Sequence, residues 1–121
     1  MIDSRIIAAS MASLAIGGCA DLCDNEIVET MASPNGELAV VVFTRNCGAT
    51  TGYSTQVSIL KAGTELPNEA GNVFIAQSEV NVAPKWLSAN RLVLAGVSGS
   101  SGSIRGSSAD GVVVEYEQKK P

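Results

Sequence analysis

Ser33-Pro34-Asn35-Gly36-Glu37-Leu38-Ala39-Val40-Val41-Val42-Phe43 decides the fold class. Proline presets the backbone at the second position of a turn, and Asn-Gly accepts positive φ. Glu37 to Arg45 is then the strongest strand signal in the chain. Successive side chains of a strand point to opposite faces. Leu38, Val40 and Val42 therefore share one face, and Ala39, Val41 and Phe43 share the other. Both faces are apolar, so this strand is expected to be central and covered on both sides. Ile27-Val28-Glu29-Thr30-Met31, just before the turn, alternates weakly and reads as a first strand, which makes the whole a hairpin.

The strand leads into Arg45-Asn46-Cys47-Gly48-Ala49-Thr50-Thr51-Gly52, read as a loop between core strands. Tyr53 to Lys61 follows with clean alternation. Tyr53, Thr55, Val57 and Ile59 lie on one face, and Ser54, Gln56 and Ser58 on the other, the pattern of a half-exposed antiparallel strand. Leu66 to Gly71 is a loop carrying Pro67 and Asn68, with room for one helical turn between Glu65 and Ala70. Val73 to Ala76 is a short strand. Val82 to Leu87 and Arg91 to Ala95 form another hairpin about Ser88-Ala89-Asn90, and Pro84 places its strand at a sheet edge. Ser98 to Ser108 is rich in serine and glycine; a surface excursion is the simpler reading, a recognition loop with Arg105 the other. Asp110-Gly111 is a turn. Val112 to Glu117 is the last strand, with Val112, Val114 and Tyr116 inward. The fold class is all-β: a small antiparallel sheet or sandwich of meander hairpins, spanning 27–121 and following an N-terminal signal segment. Ser33 to Glu37 and Trp86 to Leu92 resemble turn-and-strand signatures of β-propeller blades, but 121 residues are too few for a propeller.

Composition excludes several functions. A chain of 121 residues makes one domain. The net charge of −4 is wrong for a nucleic-acid binder, which presents a basic face. Lys119-Lys120 reads as a solvated tail. The absence of histidine removes the usual general base and the commonest metal ligand. No metal, no cofactor and no catalytic residue is expected. The threonines and serines near Cys47 lack a base to activate them, and Lys61 stands at no recognisable spacing from them. Glu26, Glu29, Glu115 and Glu117 form no acid–base pattern.

Met1 to Arg5 is weakly basic, Ile6 to Ile16 is small and apolar, and Gly17-Gly18-Cys19 follows. That is the order of a secretory signal, and the run is shorter than the roughly 20 residues that span a bilayer. Leu14-Ala15-Ile16-Gly17-Gly18-Cys19 resembles a bacterial lipobox. The resemblance implies a signal peptide over 1–18, cleavage before Cys19, a lipid on Cys19 and a lipidated tether over 19–26. The membrane is then a partner through that lipid, and the domain faces the periplasm. Ala20 after the cysteine, in place of an aspartate, favours the outer membrane over the inner. With Cys19 used this way, Cys23 and Cys47 remain as a pair in an oxidising compartment. A bridge between them closes a loop of about 25 residues and contributes about 3 kcal/mol; the alternative is two buried free thiols.

Arg45 to Ile59, with its Cys-Gly-Ala-Thr-Thr core, is similar to a motif of a family of small uncharacterised bacterial envelope lipoproteins that share the Ser-Pro-Asn-Gly turn and a later tryptophan. The resemblance covers residues 23–95 and implies no activity. The loop also offers Arg45, Thr50, Thr51 and Tyr53 as a possible binding surface, with Gly48 and Gly52 able to shape an anion nest. The simpler reading is a structural loop whose hydroxyls satisfy its own backbone. The expected function is thus a lipid-anchored, non-enzymatic envelope protein that binds a protein or envelope component. The alternative is a periplasmic inhibitor or immunity-type protein acting on a lytic enzyme. Lipoprotein inhibitors of lysozyme are similar in size and all-β habit, but their Ser-Gly-x-x-Tyr stretch is missing: neither Ser98-Gly99 nor Ser101-Gly102 has the tyrosine.

Overall fold

The computed structural model describes residues 23–48, 52–97 and 104–117. The signal segment, Cys19, the tether before Cys23, Thr50, Thr51 and most of the serine- and glycine-rich stretch lie outside these residues.

The described chain is all-β. Its strands are β1 (Asp24–Ala32), β2 (Leu38–Asn46), β3 (Tyr53–Lys61), β4 (Phe74–Ala76), β5 (Ala83–Ser88), β6 (Arg91–Ala95), β7 (Ile104–Arg105), β8 (Ser108–Ala109) and β9 (Val112–Glu117). One sheet has the order β1-β2-β3-β4-β7 and the other β5-β6-β9-β8. The first strand starts at Asp24, inside the stretch assigned to the tether. Residues 65–70 form no helical turn.

The Ser33–Gly36 turn forms as its residues dictate. Gly36 N–H donates to Ser33 O at 2.8 Å, and Gly36 takes φ 74°. The Asn35 side chain accepts from Ser33 Oγ and from Glu37 N–H, holding the turn from inside. In the β8–β9 hairpin, Asp110 and Gly111 both take positive φ, which the two-residue connection between Ala109 and Val112 requires.

Val40, Val42, Val57, Ile59, Phe74 and Ala76 of the first sheet pack against Leu92, Leu94, Val112 and Val114 of the second. This covers one of the two apolar faces expected of β2, the one that carries Val40 and Val42. Two side chains tie the sheets at their margins. Trp86 Nε1–H donates to Met31 O at 3.0 Å, joining β5 to β1. The Tyr116 hydroxyl sits against the carbonyls of Val73 and Gly106, and its ring lies 6.1 Å from that of Phe74. Pro84 lies on β5, an edge strand, where its missing N–H costs nothing.

Two features differ from the sequence reading. First, the sheets are not wholly antiparallel: β6 and β9 run parallel, Leu92 beside Val114. Parallel neighbours need a crossover. The chain supplies it by leaving β6, adding β7 to the other sheet, and returning through β8. Second, β3 is buried on both faces rather than half-exposed. Gln56 and Ser58 are only 5% and 4% accessible. The segment between β3 and β4 folds back over them, and its backbone meets their polar groups. Gly71 N–H donates to Gln56 Oε1 at 2.7 Å and Asn72 N–H to Ser58 Oγ at 3.0 Å. The Asn72 side chain then acts as a surrogate strand. It accepts from Ile59 N–H and donates to Ile59 O, both at 2.9 Å.

Gly71 is where this covering segment comes closest to β3. A Cβ there would stand 2.7 Å from Val57 O and 2.9 Å from Phe74 O, both rigid backbone atoms. Gly71→Ala is therefore expected to destabilise the fold by about 1–3 kcal/mol, as overpacking does. Urea unfolding measures it, and an unchanged midpoint would count against the covering role.

Candidate functional site

The sequence places its candidate residues where β2 leaves the sheet and β3 enters it. Asp24 pairs with Asn46 at the open end of the β1–β2 hairpin. One step further, Cys23 and Cys47 are joined, with S–S 2.03 Å and Cα–Cα 3.9 Å. The hairpin is thus closed at both ends, by the Ser33–Gly36 turn and by the disulfide. The cysteines are 24 positions apart, and the chain-entropy contribution of such a ring is about 3 kcal/mol.

Arg45 is held rather than free. The register pairs it with Asn25 on β1 and with Ser54 on β3, so all three share the outer face of the sheet with Phe43 and Gln56. Arg45 Nη1 donates to Asn25 Oδ1 at 2.7 Å and to Asn68 Oδ1 at 2.9 Å. Asn25 Nδ2 in turn donates to the carbonyls of Pro67 and Glu69, each at 3.1 Å. The guanidinium is a planar fork with several donors, so one side chain can join a strand to a loop. Its partners lie 20 and 23 residues away in sequence. The result is a latch that pins residues 67–69 to the disulfide end of the hairpin.

Ser54, Thr55 and Gln56 are likewise hydrogen-bonded. Ser54 Oγ donates to Arg45 O at 3.2 Å and accepts from Gln56 Nε2 at 2.8 Å. On the opposite face, buried Thr55 accepts from Val80 N–H at 2.9 Å. Tyr53 pairs with Asn46 and is half exposed. Gly48 and Gly52 take φ of 140° and 69°, values suited to glycine. Gly48 N–H donates to the Asn46 side chain at 3.2 Å. Thr50 and Thr51 lie between them, outside the described residues.

The structure therefore brings Arg45, Tyr53, Cys23 and Cys47 to one end of the first sheet. A small cavity of about 230 Å³ beside the disulfide is lined by Arg45, Cys47, Gly52, Ser54, Gln56 and Gln77. A second, of about 300 Å³, is lined by Asp24, Asn25, Glu26, Asn46 and Tyr53. Sequence reasoning missed Asn25, Asn68 and Asn72. Each is a single asparagine in a polar stretch, and only the fold shows what its amide meets. No group of histidine, cysteine, aspartate or glutamate able to hold a metal ion occurs among the described residues.

No family model matches the chain, and neither the curated proteins nor the solved structures contain a significant match.

Two measurements check the latch and the ring. Arg45→Ala removes the donor to half-buried Asn25 and exposed Asn68, where water can replace it, and is expected to cost about 0.5–1.5 kcal/mol. Asn68→Ala added to it should cost less than the sum of the two, because the residues share one network. Replacing Cys23 and Cys47 together by serine is expected to lower the unfolding free energy by about 3 kcal/mol. Denaturant melts of the oxidised protein and these variants provide the test.

Proposed function

We propose that the protein is a lipid-anchored, non-enzymatic domain of the bacterial cell envelope that binds a protein or another envelope component. The observation that carries this reading is the Cys23–Cys47 bond. Structural disulfides belong to oxidising compartments, and this one leaves Cys19 as the odd cysteine. Cys19 stands at the end of the lipobox-like stretch, where a lipid gives it a use.

The geometry favours this arrangement. Cys23 is four residues from Cys19, so at most about 14 Å of extended chain separates the first fixed point of the fold from the anchor. The disulfide end of the domain is then the membrane-proximal end. β1 and β2 run outward from it for about 30 Å. The disulfide takes up a pull on the tether and passes it directly into β2, the most buried strand. A non-enzymatic role is supported by how the polar side chains are used. Arg45, Ser54, Gln56 and Ser58 hold one another and the covering segment, which commits them to structure. The similarity of Arg45 to Ile59 to the envelope lipoprotein motif points to the same compartment.

Intact-mass analysis of the protein extracted from membranes of a bacterial host tests the anchor. The expected species begins at Cys19 and carries two or three acyl chains, and Cys19→Ala should move to the soluble periplasmic fraction. A species beginning at Met1 with alkylatable thiols at Cys23 and Cys47 would sink the reading. Crosslinking in the native envelope tests the binding role, with a specific partner expected and none recovered as the contrary result.

A further inference from the structure

β1 ends the first sheet, and among the described residues no further strand pairs with it. Sheet edges of this kind are normally blunted, because their unpaired N–H and C=O groups template another strand. The far end of β1 is blunted here: Trp86 takes the Met31 carbonyl. From Asp24 to Thr30 the segment over residues 67–69 meets only the outer face, through Asn25, and among the described residues no strand pairs along the edge itself. It carries two apolar side chains turned to solvent, Ile27 at 53% and Val28 at 64% accessible.

A bulge gives this edge its chemistry. Up to Ile27 the partners run Asp24 to Asn46, Glu26 to Thr44 and Ile27 to Phe43; beyond the bulge Glu29 pairs with Val42. Asn46, Thr44 and Val42 alternate along β2 and so lie on one face. Without the extra residue, Glu29 would point to the opposite face from Asp24 and Glu26. With it, all three carboxylates line the same side of the edge. Val28 and Glu29 also wall a cavity of about 510 Å³ that opens between the sheets, with Glu79, Val80, Asn81 and Val82 across from them and Thr44 and Thr55 at its floor. No lysine or arginine occurs in β1 or in the lining of this cavity.

We propose that β1 is a docking edge, to which an extended, lysine- or arginine-bearing segment of a partner protein adds as a further strand. The main chain of that segment pairs with Asp24 to Thr30. Its basic side chains meet Asp24, Glu26, Glu29 and Glu79, and an apolar side chain enters the cavity beside Val28. Strand addition of this kind draws affinity from main-chain hydrogen bonds and specificity from side-chain pockets. Charge decides the occupant. A second copy of this chain pairing through its own β1 would set carboxylates against carboxylates, and like charges directly opposite are destabilising. The proposal rests on the binding role described above and is independent of the lipid.

The test uses the mature chain and a fluorescent peptide of alternating lysine and valine, about nine residues long to match β1. Fluorescence anisotropy should show binding of this peptide. Its fully N-methylated counterpart, which keeps the charge but has no N–H donors, and a glutamate–valine peptide of equal length should not bind. Amide NMR shifts on titration should concentrate on Asp24 to Thr30. Val28→Lys with Glu29→Lys should weaken binding by about tenfold or more. Glu26→Lys, also exposed, should act in the same direction, which keeps the test valid if the double variant does not fold. Equal binding of the N-methylated peptide, no binding of the lysine–valine peptide, or wild-type affinity in these variants would overturn the docking edge. In native-envelope crosslinking, one partner held equally by the wild type and the double variant would overturn it too, while leaving the binding role standing.

Discussion

β2 is apolar on both faces, and the rest of the structure follows from the need to cover both. Val40 and Val42 on one side and Val41 and Phe43 on the other are each less than 5% accessible. Burying a valine or phenylalanine side chain contributes about 1.5–3 kcal/mol. In a chain of this size neither face can be left in water. The second sheet covers the first face. The second face has no sheet of its own, and the segment between β3 and β4 does that work.

A loop laid over a strand pair carries polar backbone into a buried place, where unpaired groups are costly. The residues around it resolve that cost. Gln56 and Ser58, polar in an apolar neighbourhood, meet the amides of Gly71 and Asn72. Asn72 satisfies both backbone groups of Ile59. Asn25 and Arg45 secure the outer end of the cover through the backbone of Pro67 and Glu69 and the side chain of Asn68. The disulfide stands one residue beyond Asp24 and Asn46, and so fixes the spacing on which the Asn25–Arg45 pair depends. Cover, latch and ring act as one assembly at the end of the domain that the proposed anchor would hold near the membrane.

Much of this was legible in the residues. The buried strand, the Ser33–Gly36 turn, the hairpin about Ala89, the edge position of Pro84 and the inward Val112 and Val114 follow from local pattern, and local pattern is what they obey. The bridge between Cys23 and Cys47 followed from counting cysteines once the lipobox resemblance gave Cys19 another use. What escaped is non-local. Gln56 and Ser58 read as solvent-facing because alternation reports polarity, and polarity does not distinguish water from a backbone amide as the partner. The parallel pairing of β6 with β9 depends on a connection whose path through the other sheet has no signature in its serines and glycines. Arg45 was legible as a conspicuous cation beside a glycine-rich loop. Its commitment to two distant asparagines, which turns a candidate contact into a latch, was not.

The central claim is that residues 67–73 cover the outer face of β2 and β3 and unfold only with them. Native-state amide hydrogen exchange tests it most directly, because a cover that is part of the cooperative unit opens only when the whole domain unfolds. The amides of Gly71, Asn72 and Val73, bonded to Gln56, Ser58 and Val57, are predicted to exchange with the same opening free energy as those of Val41 and Val42. Exchange of these three by a low-energy local opening, with β2 still protected, would show a surface loop lying on a core that does not need it, and would contradict the account.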